Sequence, residues 1–426
     1  MTRKCFLTAL SLVAVTLASV NAWSSQFNVI YKFPDVSKGF FPLAVISDSS
    51  GNLYGTTMFG GVSSGNGWGV IYKLTQNGGT WTEDVLYEFT GGTDGGQPAA
   101  GLTMDASGNL YGTTSAGGDP SCNGFCGVVF ELKHNQGGTW SQSVLHQFTG
   151  PDGLDPQSGL AFDTKGNLYG TTYDGGAHGN GTVFQLSPNG DGTWKYTILF
   201  SFGGHNPEHG LHAVATPVFD ASGNLYGTTT SGGDMTCGGG IGCGTIFQLA
   251  PQGNGQWEIG SIPLHGNHGG EPVSLIFDES GNLFGAAFAG GPGMCQSIFE
   301  NGCGTILELS PTAGGWQASV PHVFFGNPAS NPVGVVPDAQ GNLYGATEST
   351  GLFCGNACGT LFKLSKLPGN GWGFSVLHKF QGGTDGFAPF GPPILASDGN
   401  VYGATQAGGD LACISVGCGV IYQIIP

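Results

Sequence analysis

Apolar and polar residues alternate along this chain in bursts of four to nine residues, each bounded by Gly, Pro, Asn or Asp. That is the pattern of short, half-buried β-strands joined by tight turns. One stretch shows the order of the bursts. Pro98 leads into Gly101-Leu102-Thr103-Met104-Asp105, then Asn109-Leu110-Tyr111-Gly112-Thr113-Thr114, then Val128-Val129-Phe130-Glu131-Leu132, and last a segment from Trp140 that ends Val144-Leu145-His146-Gln147-Phe148. Beyond the first 22 residues no amphipathic helical period of useful length occurs.

The same four bursts recur down the chain. The motif G-N-[LV]-[YF]-G starts at Gly51, Gly108, Gly166, Gly223, Gly281, Gly341 and Gly399, with spacings of 57, 58, 57, 58, 60 and 58 residues. A fixed period leaves no room for a second domain, so residues 23–426 are expected to form one unit. Four short antiparallel strands, repeated seven times, predict an all-β, seven-bladed β-propeller. The last unit stops at Pro426 after Val420-Ile421-Tyr422-Gln423-Ile424, one strand short. Phe27–Phe33 reads like the fourth strands Val85–Phe89 and Val376–Phe380. The N-terminal strand is therefore expected to complete blade seven, which removes two open sheet edges.

Between strands one and two, six units carry Asp-x-x-Gly-Asn (Asp48, Asp105, Asp163, Asp220, Asp278, Asp338). The seventh has Asp398 directly before Gly399. One carboxylate per turn suits a hairpin whose Asp accepts backbone N–H groups. Calcium would need several more oxygen ligands.

At the N-terminus, Arg3 and Lys4 precede an apolar run from Phe6 to Val20, and Val20-Asn21-Ala22 offers small residues for cleavage. Residues 1–22 are expected to be a secretory signal peptide. The run is short for a membrane span, and no later one is longer. Losing Arg3 and Lys4 leaves 9 of 11 basic residues against 28 acidic ones, a formal charge of −19. Such a field repels phosphate backbones and anionic membranes, so nucleic acid is excluded as a partner. The 81 Gly and 23 Pro residues would suggest disorder, but 28 Phe and regular β-branched clusters oppose it.

With D-x-x-G-N-L-Y-G-T-T and G-x-[VI]-[FY]-x-L recurring, the chain resembles the GloVer-type (Gloeo/Verruco) tandem repeat of secreted bacterial proteins. The resemblance covers nearly all of the chain after the leader. It implies an exported bacterial repeat protein, often with a C-terminal surface-sorting segment. This chain ends inside a strand instead, so no membrane anchor is expected. The family brings no assigned activity, so the resemblance strengthens the fold and adds little to function.

Ten cysteines remain after Cys5. They fall as five close pairs between strands two and three: Cys122/Cys126, Cys237/Cys243, Cys295/Cys303, Cys354/Cys358 and Cys413/Cys418. Blades one and three have none there. Cysteines gained and lost in pairs predict intraloop disulfides in an oxidising compartment, extracellular or periplasmic. The intervals are too irregular for a zinc finger. Each small ring contributes about 2–2.6 kcal/mol at most by chain entropy, so its larger effect is to fix a Gly-rich loop. Propeller geometry places these loops beside the links between blades, away from the short hairpins. That stapled surface is the expected working face.

Candidate binding residues on it are Asp119, Asp234 and Asp410 after Gly-Gly, Asp174 beside Tyr173, and Trp68 in the cysteine-free loop of blade one. Asp94, Asp152, Asp155 and Asp385 lie on the links. Carboxylates could serve general acid/base chemistry on a polysaccharide. An Asp after Gly-Gly also caps a turn, and catalytic acids need unequal environments, not equivalent copies. Blade four is the least repetitive, with His205, Glu208, His209 and His212 on one link and His265, His268 and Glu271 on the next. These are the right ligands for a divalent metal, the one cofactor that the sequence suggests. The Gly61–Gly65 match to G-x-S-x-G lacks its strand–turn–helix setting and carries nothing. The expected function is a binding or scaffold module for an extracellular glycan or protein, leaning away from enzymes. The alternative is a carbohydrate-active hydrolase or lyase with a His/Glu site near blade four.

Overall fold

The strand pattern closes into seven antiparallel sheets, a seven-bladed β-propeller. The computed structural model describes residues 25–61, 67–122, 124–203, 207–235, 240–292, 295, 302–326, 329–348, 358–369 and 371–426. The expected leader, residues 62–66, His205, Cys237 and Cys354 lie outside them. Among the described residues no helix is long and apolar enough to cross a membrane.

Blade one sets the plan: Phe40–Ser47, Leu53–Phe59, Val70–Asn77 and Thr80–Glu88 pair in chain order. The ring closes as expected, because Gln26–Lys32 pairs with Val420–Ile425, with Phe27 opposite Ile424 and Tyr31 opposite Ile421. The first strand departs from the sequence expectation. In blades two, four and seven it is broken in two, as in Gly96–Pro98 and Thr103–Met104. In blade three it is reduced to Ala161–Phe162, and in blades one, five and six its register slips beside a proline, between Pro42 and Val45, Pro272 and Ser274, and Pro332 and Gly334. A proline offers no N–H to the ladder, so the strand kinks there.

The repeated motif explains the packing. A Cβ on Gly112 would lie 2.6 Å from Phe130 Cζ, so the glycine of G-N-L-Y-G lets the strand-three ring lie across strand two. The motif tyrosine reaches the next blade: Tyr111 packs edge-on against Phe162 (5.1 Å) and Trp194 (6.2 Å). Its hydroxyl donates to Asp105 at 3.2 Å. The turn aspartates act as hairpin acceptors. Asp48 Oδ1 accepts from Ser50 N and Asn52 N, both at 2.9 Å, and Oδ2 accepts from Asn52 Nδ2 at 2.7 Å. Burial would raise the Asp48 carboxyl, and these donors hold it below its usual range. Asp398 does the same work from its displaced position, through Asn400 and Tyr402.

Outer strands are joined by ring stacks. His146 lies flat on Tyr196 (3.8 Å), His322 on Phe374 (4.2 Å) and His378 on Phe27 (3.6 Å). The last stack joins blade six to the closing strand. On the other side of that strand, Tyr31 Oη donates to Glu83 Oε2 of blade one at 2.7 Å. The closing strand is thus held by both neighbours.

Burial pushes the Glu83 carboxyl up to about 7, against the Tyr31 hydrogen bond and Lys38. A carboxyl raised above its ordinary 4.5 favours the fold while protonated, and that support is lost as pH rises from 4.5 through 7. Glu83→Gln should therefore raise the melting temperature at pH 8 by about 1–3 °C. At pH 4 it should change it little. Thermal unfolding at the two pH values is the check.

Candidate functional site

The loops between strands two and three carry the predicted disulfides. Cys122–Cys126, Cys295–Cys303 and Cys413–Cys418 are bonded, with Cα–Cα distances of 5.6, 5.0 and 5.8 Å. Cys243 and Cys358 are also disulfide-bonded. Blade six's loop lies outside the described residues; in the other six blades hydrogen bonds tie the loop to the link entering the blade, as from Gly118 N to Gly92 O (2.9 Å), Gly176 N to Gly150 O (2.9 Å) and Gly409 N to Gly383 O (3.0 Å). Large apolar side chains are exposed there. Of the nine such residues among those described, six, Val36, Phe125, Met235, Ile241, Phe325 and Leu411, lie on these loops and links, with Phe125 63 % and Phe325 70 % exposed.

Beneath the loops runs a ring of contacts that sequence reading missed. Among the described residues, seven non-glycine ones have positive φ, between 52° and 61°: Phe41, Gln97, Asp155, His212, Glu271, Asn331 and Ala388. There is one per blade, at the start of strand one. Each donates its N–H to a carbonyl of the preceding blade. Asp155 N reaches Cys126 O (3.2 Å), Glu271 N Cys243 O (3.0 Å), Asn331 N Cys303 O (2.8 Å), Ala388 N Cys358 O (3.1 Å) and Phe41 N Cys418 O (3.3 Å). In the cysteine-free blades Trp68 O and Asn180 O accept, from Gln97 N (2.7 Å) and His212 N (3.0 Å). The second cysteine of every pair is therefore the acceptor of the blade-to-blade bond. Its following glycine is the seat of the next blade's proline: a Cβ on Gly127 would stand 2.7 Å from Pro156 Cδ. The available signal was a variable residue before an otherwise repeated proline.

The predicted site residues take several roles. Asp119 and Asp410 cap turns, accepting from Ser121 N (2.8 Å) and Ala412 N (2.9 Å). Asp94, Asp152 and Asp385 hold the links, accepting from Thr90 N, Thr149 N and Gln381 N and from Tyr87 Oη, His146 Nε2 and His378 Nε2. Trp68 covers Gly91 and Gly96. Asp174 lies 3.2 Å from His212 Nδ1, and that imidazole rests on Tyr173. Asp234 lies 2.8 Å from His265 Nδ1, with the His268 ring 5.9 Å from that of His265. Burial, then the neighbouring His265, lowers the pKa of His268. Glu208 and His209 sit in a short 3₁₀ turn, Pro207–His209. So His212 is held by the loop of blade three and His265 by that of blade four. Among the described residues, which leave out His205, no group of three His, Cys, Asp or Glu could hold a metal.

The first strands of all seven blades line a central cavity of about 590 Å³. Its walls are mainly apolar, with Leu43, Leu102, Val273, Leu275, Phe288 and Phe390 among them, and two acids, Asp155 and Glu348, at the loop end. Burial pushes Glu348 up to about 7. It also raises Asp155, against a 2.8 Å hydrogen bond from Gln157 and with added repulsion from Asp174.

Repeat, ring and stapled loops define a disulfide-closed repeat propeller. The chain belongs to the Gloeobacter/Verrucomicrobia repeat family, whose model matches residues 13–241, 125–300 and 235–426. No curated protein matches it in sequence. Among solved structures it is similar to the extracellular domain of a putative hybrid two-component system from B. thetaiotaomicron (TM-score 0.55, 10 % identity, 93 % of this chain). It spans only 39 % of that protein's chain. It is also similar to a protein from Lactobacillus plantarum (0.55, 15 %, 90 % of this chain and 100 % of that one). A periplasmic gluconolactonase from Pseudomonas aeruginosa is comparable (0.52, 13 %, 91 % and 99 %). At these identities the likeness is one of fold.

The blade-to-blade contact can be tested with two glycines of blade two, both at positive φ. Around Gly108 nothing lies within 4 Å of an added Cβ, whereas Gly127 faces Pro156 and the Thr114 carbonyl. Gly108→Ala should cost about 1 kcal/mol from backbone strain alone, and Gly127→Ala at least about 3 kcal/mol. Chemical unfolding of the two variants measures the difference.

Proposed function

We propose that this protein is an extracytoplasmic binding or scaffold module. It takes a glycan or a protein through its disulfide-closed loops and the links beside them. One observation carries this reading: exposed large apolar side chains concentrate on those loops, and Phe125 stands inside the Cys122–Cys126 ring. A free Gly-rich loop would lose much of its binding energy to ordering, and a closed one loses less. Aromatic rings projecting from a fixed, polar surround suit sugar faces and protein partners alike. The paired cysteines and the leader-like N-terminus support export to the periplasm or the medium.

The alternative, a carbohydrate hydrolase or lyase near blade four, has weaker support. The acids and imidazoles there are engaged with one another and with backbone, and acid/base catalysis on a glycosidic bond asks for two carboxyl groups facing one space.

A glycan array and pull-down with the oxidised mature chain test the proposal. Phe125→Ala and Phe325→Ala should each weaken a detected interaction about 5–30-fold while leaving the melting temperature within a degree or two. Mild reduction of the disulfides should weaken it as well. Binding indifferent to both phenylalanines and to reduction would rule this surface out.

A further inference from the structure

Away from the loop surface, the central cavity has the marks of a second, independent site. Its volume of about 590 Å³ falls within the roughly 300–1,000 Å³ typical of small-molecule pockets. Among the described residues that line it, Asp155 and Glu348 are the only ionisable ones, with no Lys, Arg or His. The fold does not need either acid. Positions equivalent to Glu348 in other blades carry Met58, Ser115, Thr230 and Phe288, and those equivalent to Asp155 include Phe41 and Ala388. Among the described residues no donor reaches the Glu348 carboxylate.

An acid that the repeat can dispense with, placed in an apolar cavity without a counter-charge, costs stability unless something else compensates it. We propose that the cavity binds a small organic cation, an amine carried on an apolar body. Glu348 holds the charge, and the aliphatic and aromatic wall takes the body. Phe288 and Phe390 add ring faces that attract a desolvated ammonium group. The protein's negative field concentrates cations around it. The raised carboxyl of Glu348 is what a cation, once bound, would bring back to its ordinary range.

The test uses the oxidised mature chain and two probes of one shape, 2-phenylethylamine and 2-phenylethanol, by isothermal titration calorimetry. The amine should bind at least about tenfold more tightly than the alcohol, as expected for a charge-assisted contact. Glu348→Gln should remove that preference while holding or raising the melting temperature. Asp191→Asn, which removes an equal charge from an exposed turn, should leave the preference intact. Equal affinities, no binding of either probe, a preference that survives Glu348→Gln, or one that falls equally in Asp191→Asn would each overturn the proposal. None of these results bears on the loop surface, which is tested separately through Phe125 and Phe325.

Discussion

Each blade is joined to the next by one backbone hydrogen bond, donated by a residue held in the left-handed region and accepted by the residue before a glycine. That geometry is costly for a residue with a side chain, of the order of 1–2 kcal/mol. It persists seven times because three segments cross at the same point. The left-handed residue turns the chain so that its N–H meets the neighbour's carbonyl. In six of the seven contacts a proline behind it lies on the glycine (Ala213 follows His212 in the other), and in six blades that glycine's own carbonyl receives the N–H of a buried strand-four phenylalanine, as from Phe148 to Gly127 (3.2 Å). Removing any one of the three leaves polar groups unpaired inside the ring.

The disulfides belong to this scheme. Their second cysteine is the acceptor in five of the seven contacts, so closing the loop also fixes the carbonyl on which the next blade depends. A long Gly-rich loop would otherwise leave that acceptor free to wander. Blades one and three reach the same geometry without cysteine, using Trp68 and Asn180. In blade one the indole of Trp68 packs over Gly91 and Gly96; in blade three the loop is short.

Division of labour follows from the repeat. Positions that hold the ring are the same in nearly every blade: the hairpin aspartate, the motif tyrosine, the buried threonines and the strand-three aromatic. Positions that differ from blade to blade cluster at the loops, at the left-handed residues and at the end of strand two. They face the links and the central cavity, so selection for recognition could act there while the ring stayed unchanged. The histidines follow the same division. His146 and His378 are stacked and bonded to link aspartates as parts of the scaffold, whereas His265 and His268 lie on a variable link.

Much of the architecture was legible in the chain itself. A period of 57–60 residues with four strand-like bursts fixes seven sheets, and a last unit one strand short requires its partner from the other end. Close cysteine pairs within single loops leave little choice of bonding. These features are local, repeated, or both, and local chemistry is what a sequence displays. The tertiary structure decided the rest. It showed that the link aspartates are spent on hydrogen bonds, that the blade-four histidines divide between two loops, and that Asp155 and Glu348, 193 residues apart, come to line one cavity. Each of those depends on which residues the ring brings together across blades. No spacing along the chain encodes that, because the distance between blades is set by how the sheets pack around a common axis.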